Sequence, residues 1–329
     1  MDKNSIIIFS NGWTDTPLED WFSRVNEWGY HGVELATWGE HFSVEQHLAN
    51  PDYTPEIHEL LQNNDLHQNI LAVHRLGTAV GDHLDERYQK LLPSFIWGSG
   101  KPIEVRDRAI EAMHMLIPVA KSLGVSLISG FMGSPIWHIV NGWPLASPDY
   151  IRQHLESLVE LWQPILSEFQ QNGLRFALEV HPGQIAFDWH STEVILEAFS
   201  DFSCFGLTLD PSHLLWQGID PVEFIRHFSK HIFHIHVKDV TLNLNGRQGI
   251  LNGYLPATSA QRGWQFRSPG RGDIDWENLF RATREIPYDG LFSFEYGDAD
   301  MDRDHAAGEA IDFIERFLFP GKGKSAKGM

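Results

Sequence analysis

The sequence predicts a single-domain (β/α)8 TIM barrel, and three observations carry that reading. Eight short hydrophobic runs alternate with helical segments. Four runs in the second half end on side chains that ligate metals, namely Glu179, Asp210, His236 and Glu295. Within those runs, large apolar residues alternate with small or polar ones.

The predicted strands are residues 5–10, 32–36, 69–74, 125–130, 174–180, 203–210, 232–238 and 291–295, each of ordinary strand length. Between them the apolar period changes to that of a helix. Ile151, Leu155, Leu158, Trp162, Ile165 and Phe169 keep helical spacing through 150–171, with Gly173 closing the segment. Pro164 is expected to kink this helix, and Pro118 the helix before strand four. Ala310, Ile311, Ile314, Phe317 and Leu318 give a last amphipathic helix over 306–319. The barrel domain is read as 1–319, followed by a flexible tail over 320–329.

Because neighbouring side chains on a strand point to opposite faces, Phe176, Leu178 and Val180 oppose Ala177, Glu179 and His181. Leu207 and Leu209 likewise oppose Thr208 and Asp210; Ile235 and Val237 oppose His234, His236 and Lys238; Phe292 and Phe294 oppose Ser293 and Glu295. The apolar set packs outward on helices. The polar set points into a shared interior, with its ligating members at the strand ends, where barrel active sites form. Residues 88–102 and 240–275 exceed a minimal barrel and are rich in Gly, Pro, Asn and Ser, so they are read as loops at the mouth, the second as a lid.

Composition narrows the function. The 329 residues are 42% hydrophobic, enough for a large core, and carry a formal charge of −19 that repels a polyanion. A small neutral substrate suits this balance, and nucleic acid is not expected as a partner. No apolar run approaches a membrane span and the first eleven residues lack a cleavage-like site, so a cytoplasmic protein without a membrane partner is expected. Cys204 is the only cysteine, which excludes an intramolecular disulfide and thiolate metal clusters. A homo-oligomer is compatible with these features.

In order along the chain, Glu179, Asp210-Pro211-Ser212-His213, His236-Val237-Lys238-Asp239, Pro269-Gly270-Arg271-Gly272-Asp273-Ile274-Asp275-Trp276 and Glu295 resemble the sugar isomerase/epimerase group of xylose isomerase-like TIM barrels. This group includes D-tagatose 3-epimerase, inosose dehydratase and, more remotely, endonuclease IV. The resemblance implies that Glu179, Asp210, His236 and Glu295 hold a divalent cation, Mn²⁺ first with Mg²⁺, Co²⁺ or Zn²⁺ as alternatives. It also implies that His213 binds the substrate. Ala177-Leu178-Glu179-Val180-His181-Pro182 and Met301-Asp302-Arg303 resemble a branch linked to keto-sugar metabolism.

Such residues suit proton abstraction next to a carbonyl. A cation stabilises negative charge on the substrate oxygens while carboxylates on two faces, here Glu179 and Glu295, remove and return the proton. A carboxylate that also ligates the ion serves as a base only through a free oxygen. His181, His74, Glu34, Lys238, Arg271, Trp13 and Trp38 are further candidates for substrate binding, the tryptophans by stacking on sugar faces. His234 lies deeper on the face of His236 and is read as a hydrogen-bonded core histidine. A lyase or dehydratase begins from the same abstraction and is the alternative function. Abasic-site DNA cleavage requires a larger histidine-rich metal cluster than this chain offers, and a non-catalytic sugar-binding barrel would use the same fold.

Overall fold

The computed structural model describes residues 5–318. The tail read at 320–329 and the predicted last helical residue, Phe319, lie outside the described residues. Ten strands are present among them: β1 Ile6–Phe9, β2 Gly32–Ala36, β3 Gln68–Ala72, β4 Leu127–Gly130, β5 Arg175–Glu179, β6 Phe205–Leu209, β7 Ile232–Val237, β8 Asp239–Leu242, β9 Trp264–Arg267 and β10 Leu291–Phe294. Eight close into a parallel barrel in the order β1-β10-β7-β6-β5-β4-β3-β2, while β8 and β9 form a separate antiparallel pair. The eight-run prediction thus becomes a TIM barrel of surrounding helices and inner strands.

Register turns the predicted alternation into layers. Phe176, Leu178, Leu207, Leu209, Phe292 and Phe294 belong to the large core between strands and helices. Ile7, Ile70, Leu127 and Ala177 pack together as an apolar floor inside the barrel. Above it Ser129 and Thr208 hydrogen-bond across 2.9 Å, and His234 pairs with Glu34. Glu179, Asp210, His236 and Glu295 follow at the mouth. Gly206 shows how tightly the wall is built, since an added Cβ would lie 2.5 Å from the Phe233 ring.

Two local expectations are corrected, one at the end of β3 and one in the 240–275 stretch. β3 stops at Ala72 because Val73 leaves the extended region at φ −120° and ψ 25°, so His74 opens the helix His74–Gly81 rather than ending a strand. The helices Pro102–Leu123 and Pro148–Gln171 run through Pro118 and Pro164, and neither proline ends its helix. Both sit among buried residues, Ile117 and Val119 in one and Trp162, Ile165 and Leu166 in the other. The 240–275 stretch is not a free lid: it contains the β8–β9 hairpin and is tied down by Asp239.

The Asp239 carboxylate accepts from the backbone N–H groups of Gly270 at 2.9 Å and Ile274 at 3.2 Å and from Trp276 Nε1 at 2.8 Å. Gly272 must lack a side chain because its Cβ would fall 2.3 Å from Asp239 Oδ1. One buried carboxylate therefore fastens the whole Gly-Arg-Gly-Asp-Ile-Asp-Trp segment to the residue after Lys238. Asp239→Ala leaves these donors unpaired and should cost about 2–4 kcal/mol, seen as a lower thermal midpoint by circular dichroism. An unchanged midpoint would contradict the anchoring role.

Candidate metal centre and active site

Four strand ends deliver the predicted ligands to one place. Glu179 is the last residue of β5, Asp210 follows β6, His236 lies in β7 and Glu295 follows β10. One ligand atom from each lies within 4.8 Å of the other three, the spread expected around a single cation with bonds of roughly 2.0–2.4 Å. His236 and Asp210 are fully buried and Glu179 is nearly so.

The local sequence explains how each group is aimed. Asp210 caps the helix Pro211–Leu215: its Oδ1 accepts from Ser212 N–H at 2.8 Å, and Pro211 at the first helical position needs no hydrogen bond. The cap leaves Oδ2 facing the site. One turn on, His213 Nε2 returns to 3.2 Å from that oxygen and 3.3 Å from Glu179 Oε1. Glu179 Oε2 is held by His74 Nε2 at 2.8 Å, and Glu295 Oε1 accepts from Asn11 Nδ2 at 3.1 Å. Each glutamate thus keeps its other oxygen turned to the shared centre.

The donor set passes a further test of fit. Asp210 Oδ2, His236 Nδ1 and Glu295 Oε2 are buried without a well-directed hydrogen bond, although His236 Nδ1 and Glu295 Oε2 are 3.0 Å apart. Close approach without hydrogen-bond geometry is what atoms aimed at a common cation show. Lys238 Nζ lies beside them, 2.7 Å from Asp210 Oδ2 and 2.9 Å from Glu295 Oε2, with its ammonium over the Phe266 ring.

Electrostatics at this depth follow from mutual compensation. Burial alone would favour neutral carboxyl groups, but His236 holds Glu179 well below the usual range, and Lys238 with His236 brings Glu295 down to about 2. Burial opposes charge on Lys238 too, yet Asp210 and Glu295 outweigh it and raise its pKa. His181 goes the other way. Burial, with His213 beside it at a ring separation of 4.0 Å, pushes it down to about 3, so its imidazole is neutral at ordinary pH.

The other predicted residues divide. His181, His74, His213, Lys238 and Trp38 line a cavity of about 670 Å³ that reaches Glu179 and Glu295. Three do not line it. Trp13 is fully buried behind the first loop, where Nε1 donates to Asp304 at 2.7 Å among Trp21, Trp28 and Tyr296, so it cannot stack on a substrate. Arg271 points away to Glu309 at 2.7 Å because the Asp239 anchor turns its loop outward. Glu34 lies under the site rather than in it. Its carboxylate accepts from His234 Nε2 at 2.8 Å and His236 Nε2 at 3.0 Å, which also makes His234 the core histidine expected.

Glu34, His74 and His236 also bring ligand atoms within 4.8 Å of one another, but the Glu34 carboxylate is already occupied by two imidazole donors. Its contact fixes the His236 ring so that Nε2 faces Glu34 and Nδ1 faces the centre. Sequence reasoning missed Asn11, Arg75, Phe131 and Gln184, all of which line the cavity. Asn11 alone carried a usable signal, two residues past β1. Glu34→Gln, which touches no ion, should weaken divalent-metal affinity about 10–100-fold when Mn²⁺ is titrated calorimetrically, and unchanged affinity would reject the buttressing role.

A model of xylose isomerase-like TIM barrels matches residues 22–317. The chain is 24% identical over 319 residues to the uncharacterised protein YfiH of Bacillus subtilis, covering 92% of this chain and 95% of that one. It is 30% identical to an inosose dehydratase of Clostridium botulinum over 100 residues, which cover 30% of this chain and 33% of the dehydratase. The solved structure of 3-keto-D-glucoside 4-epimerase from E. coli superposes with a TM-score of 0.67 at 14% identity, over 94% of this chain and 98% of the epimerase. Among the described residues no helix is long and apolar enough to cross a membrane. The closed eight-stranded barrel and the extent of the match together place the chain in the xylose isomerase-like TIM barrel family.

Proposed function

We propose that this chain is a divalent-metal-dependent isomerase or epimerase that removes a proton next to the carbonyl of a sugar or keto-sugar. The observation that carries the reading is the convergence of Glu179, Asp210, His236 and Glu295 within 4.8 Å at the inner end of a cavity large enough for a sugar. A divalent cation held by these four, with Mn²⁺ the first candidate, would supply Lewis-acid stabilisation of the charge developing on substrate oxygen.

The remaining work falls to the chain's own side chains. Glu179 and Glu295 come from β5 and from the end of β10, so they flank the centre from different parts of the wall and are the pair proposed to take and return the proton. The oxygen of Glu179 away from the centre is bonded to His74, which restrains that carboxylate and can pass its proton on. Lys238 and His213, 3.2 Å apart, are placed to donate to substrate oxygens. Neutral His181 can hydrogen-bond a substrate hydroxyl. Trp38 and Phe131 supply apolar faces for a sugar ring.

The likeness to an inosose dehydratase supports a second reading, in which the same abstraction is followed by loss of water. Incubation with Mn²⁺ and keto-sugars in D₂O separates the two. An isomerase or epimerase leaves a product whose mass changes only by deuterium, whereas elimination removes water. Glu179→Gln should lower either activity by about 10²–10⁴-fold and sharply reduce bound metal from about one ion per chain. No deuterium incorporation with any keto-sugar, together with full metal binding in the variant, would refute the proposal.

A further inference from the structure

The cavity has two chemically opposite ends. Glu179 and Glu295 mark the inner end, while Arg75, Arg87, His83 and His138 line the outer end. Two guanidinium groups on one wall stand out in a chain whose formal charge is −19. The outer wall comes from the 74–91 segment, including the 3₁₀ turn Glu86–Lys90, and from the loop after β4. The wall therefore includes part of the 88–102 stretch that exceeds a minimal barrel.

Most charges there are already engaged. Arg87 is paired with Asp85 at 2.7 Å. Asp82 is the one carboxylate lining this end among the described residues, and it accepts from the Tyr88 hydroxyl and from His83 N–H at 2.6 Å. Arg75 differs. It is half-buried, its Nη1 donates only to the Leu91 carbonyl at 3.2 Å, and its guanidinium lies 4.9 Å from the centre of the Trp38 ring. Among the described residues no carboxylate forms an ion pair with it. Together with Trp38 and Leu91 it also borders a second cavity of about 320 Å³, to which Lys90 contributes another cation.

A guanidinium taken partly out of water, lying over an indole and bordering open space, keeps a planar fork of donors available for an oxyanion. We propose that the outer end of the cavity is a subsite for a carboxylate or phosphate group that the substrate carries away from its reacting carbon, with Arg75 as the principal donor. This deepens the proposed function and rests on it for the identity of the inner end. Arg75 directly follows His74, whose ring holds Glu179, so adjacent residues tie the anion subsite to the reaction centre. The substrate class becomes a keto-sugar acid or a sugar phosphate rather than a neutral sugar.

The test titrates the full chain calorimetrically with inorganic phosphate and, separately, with acetate in chloride buffer. Saturable binding is expected for at least one anion, and the one preferred assigns phosphate or carboxylate. Arg75→Gln should weaken it about tenfold or more, while Arg75→Lys, which keeps the charge and loses the fork, should retain part of it. Repeating the titration in Glu179→Gln keeps the two proposals apart, because anion binding at Arg75 survives loss of the ion site whereas binding through a metal does not. Absence of saturable binding of either anion, or binding by a folded Arg75→Gln protein within about threefold of the native value, overturns the subsite.

Discussion

Everything at the mouth of this barrel depends on compensating charge that has been taken out of water. Glu34, Glu179, Asp210, His236 and Lys238 are all essentially buried, and an isolated ion in such a place costs several kcal/mol. The chain meets this constraint by giving every buried charge a lysine, carboxylate or imidazole partner. Glu34 is matched by His234 and His236, Asp210 and Glu295 by Lys238, and Glu179 by His74 and His213. No one partner can be removed without stranding another, so the cluster behaves as a unit.

The fold supports that unit from below and from the side. An apolar floor of Ile7, Ile70, Leu127 and Ala177 lies deepest, and above it the Ser129 and Thr208 hydroxyls bond to each other while His234 bonds to the Glu34 carboxylate. The ligand cluster stands on that layer. Phe9 stacks on the His236 ring at 5.5 Å and fixes its plane, while the Asp239 anchor keeps the chain after Lys238 from drifting. Rigid strands place the ligands, and neighbouring side chains fix their orientation.

The barrel was legible because strand periodicity states which residues point inward, and a closed sheet leaves inward residues one place to meet. That logic groups Glu179, Asp210, His236 and Glu295 from the sequence alone. It failed where direction is set by tertiary contacts instead of period. Trp13 and Trp38 each follow a strand end, yet only Trp38 reaches the cavity, since Trp13 is pulled to Asp304 in the last helix. Arg271 sits in the motif that most resembled a lid, but the signal there belonged to Gly270, Gly272 and Trp276 closing around Asp239. Glu34 shares the inward face yet lies beneath the cavity, because alternation gives the face and says nothing of depth.

Depth also separates a reactive site from a structural one. Replacing a buried ionic cluster by apolar residues of similar volume is often neutral or stabilising, so this cluster is a poor means of holding a barrel closed. A barrel that only gripped a neutral sugar would be served by hydroxyls, amides and aromatic faces, and Gln184, Thr78 and Phe131 already provide these in the cavity wall. Three carboxylates and an imidazole crowded around one point, with a lysine alongside, are a donor set suited to a divalent cation and a substrate oxygen. The arrangement therefore fits a site whose demands on the chain arise in the reaction, with the stability it forgoes supplied by the large core outside the strands.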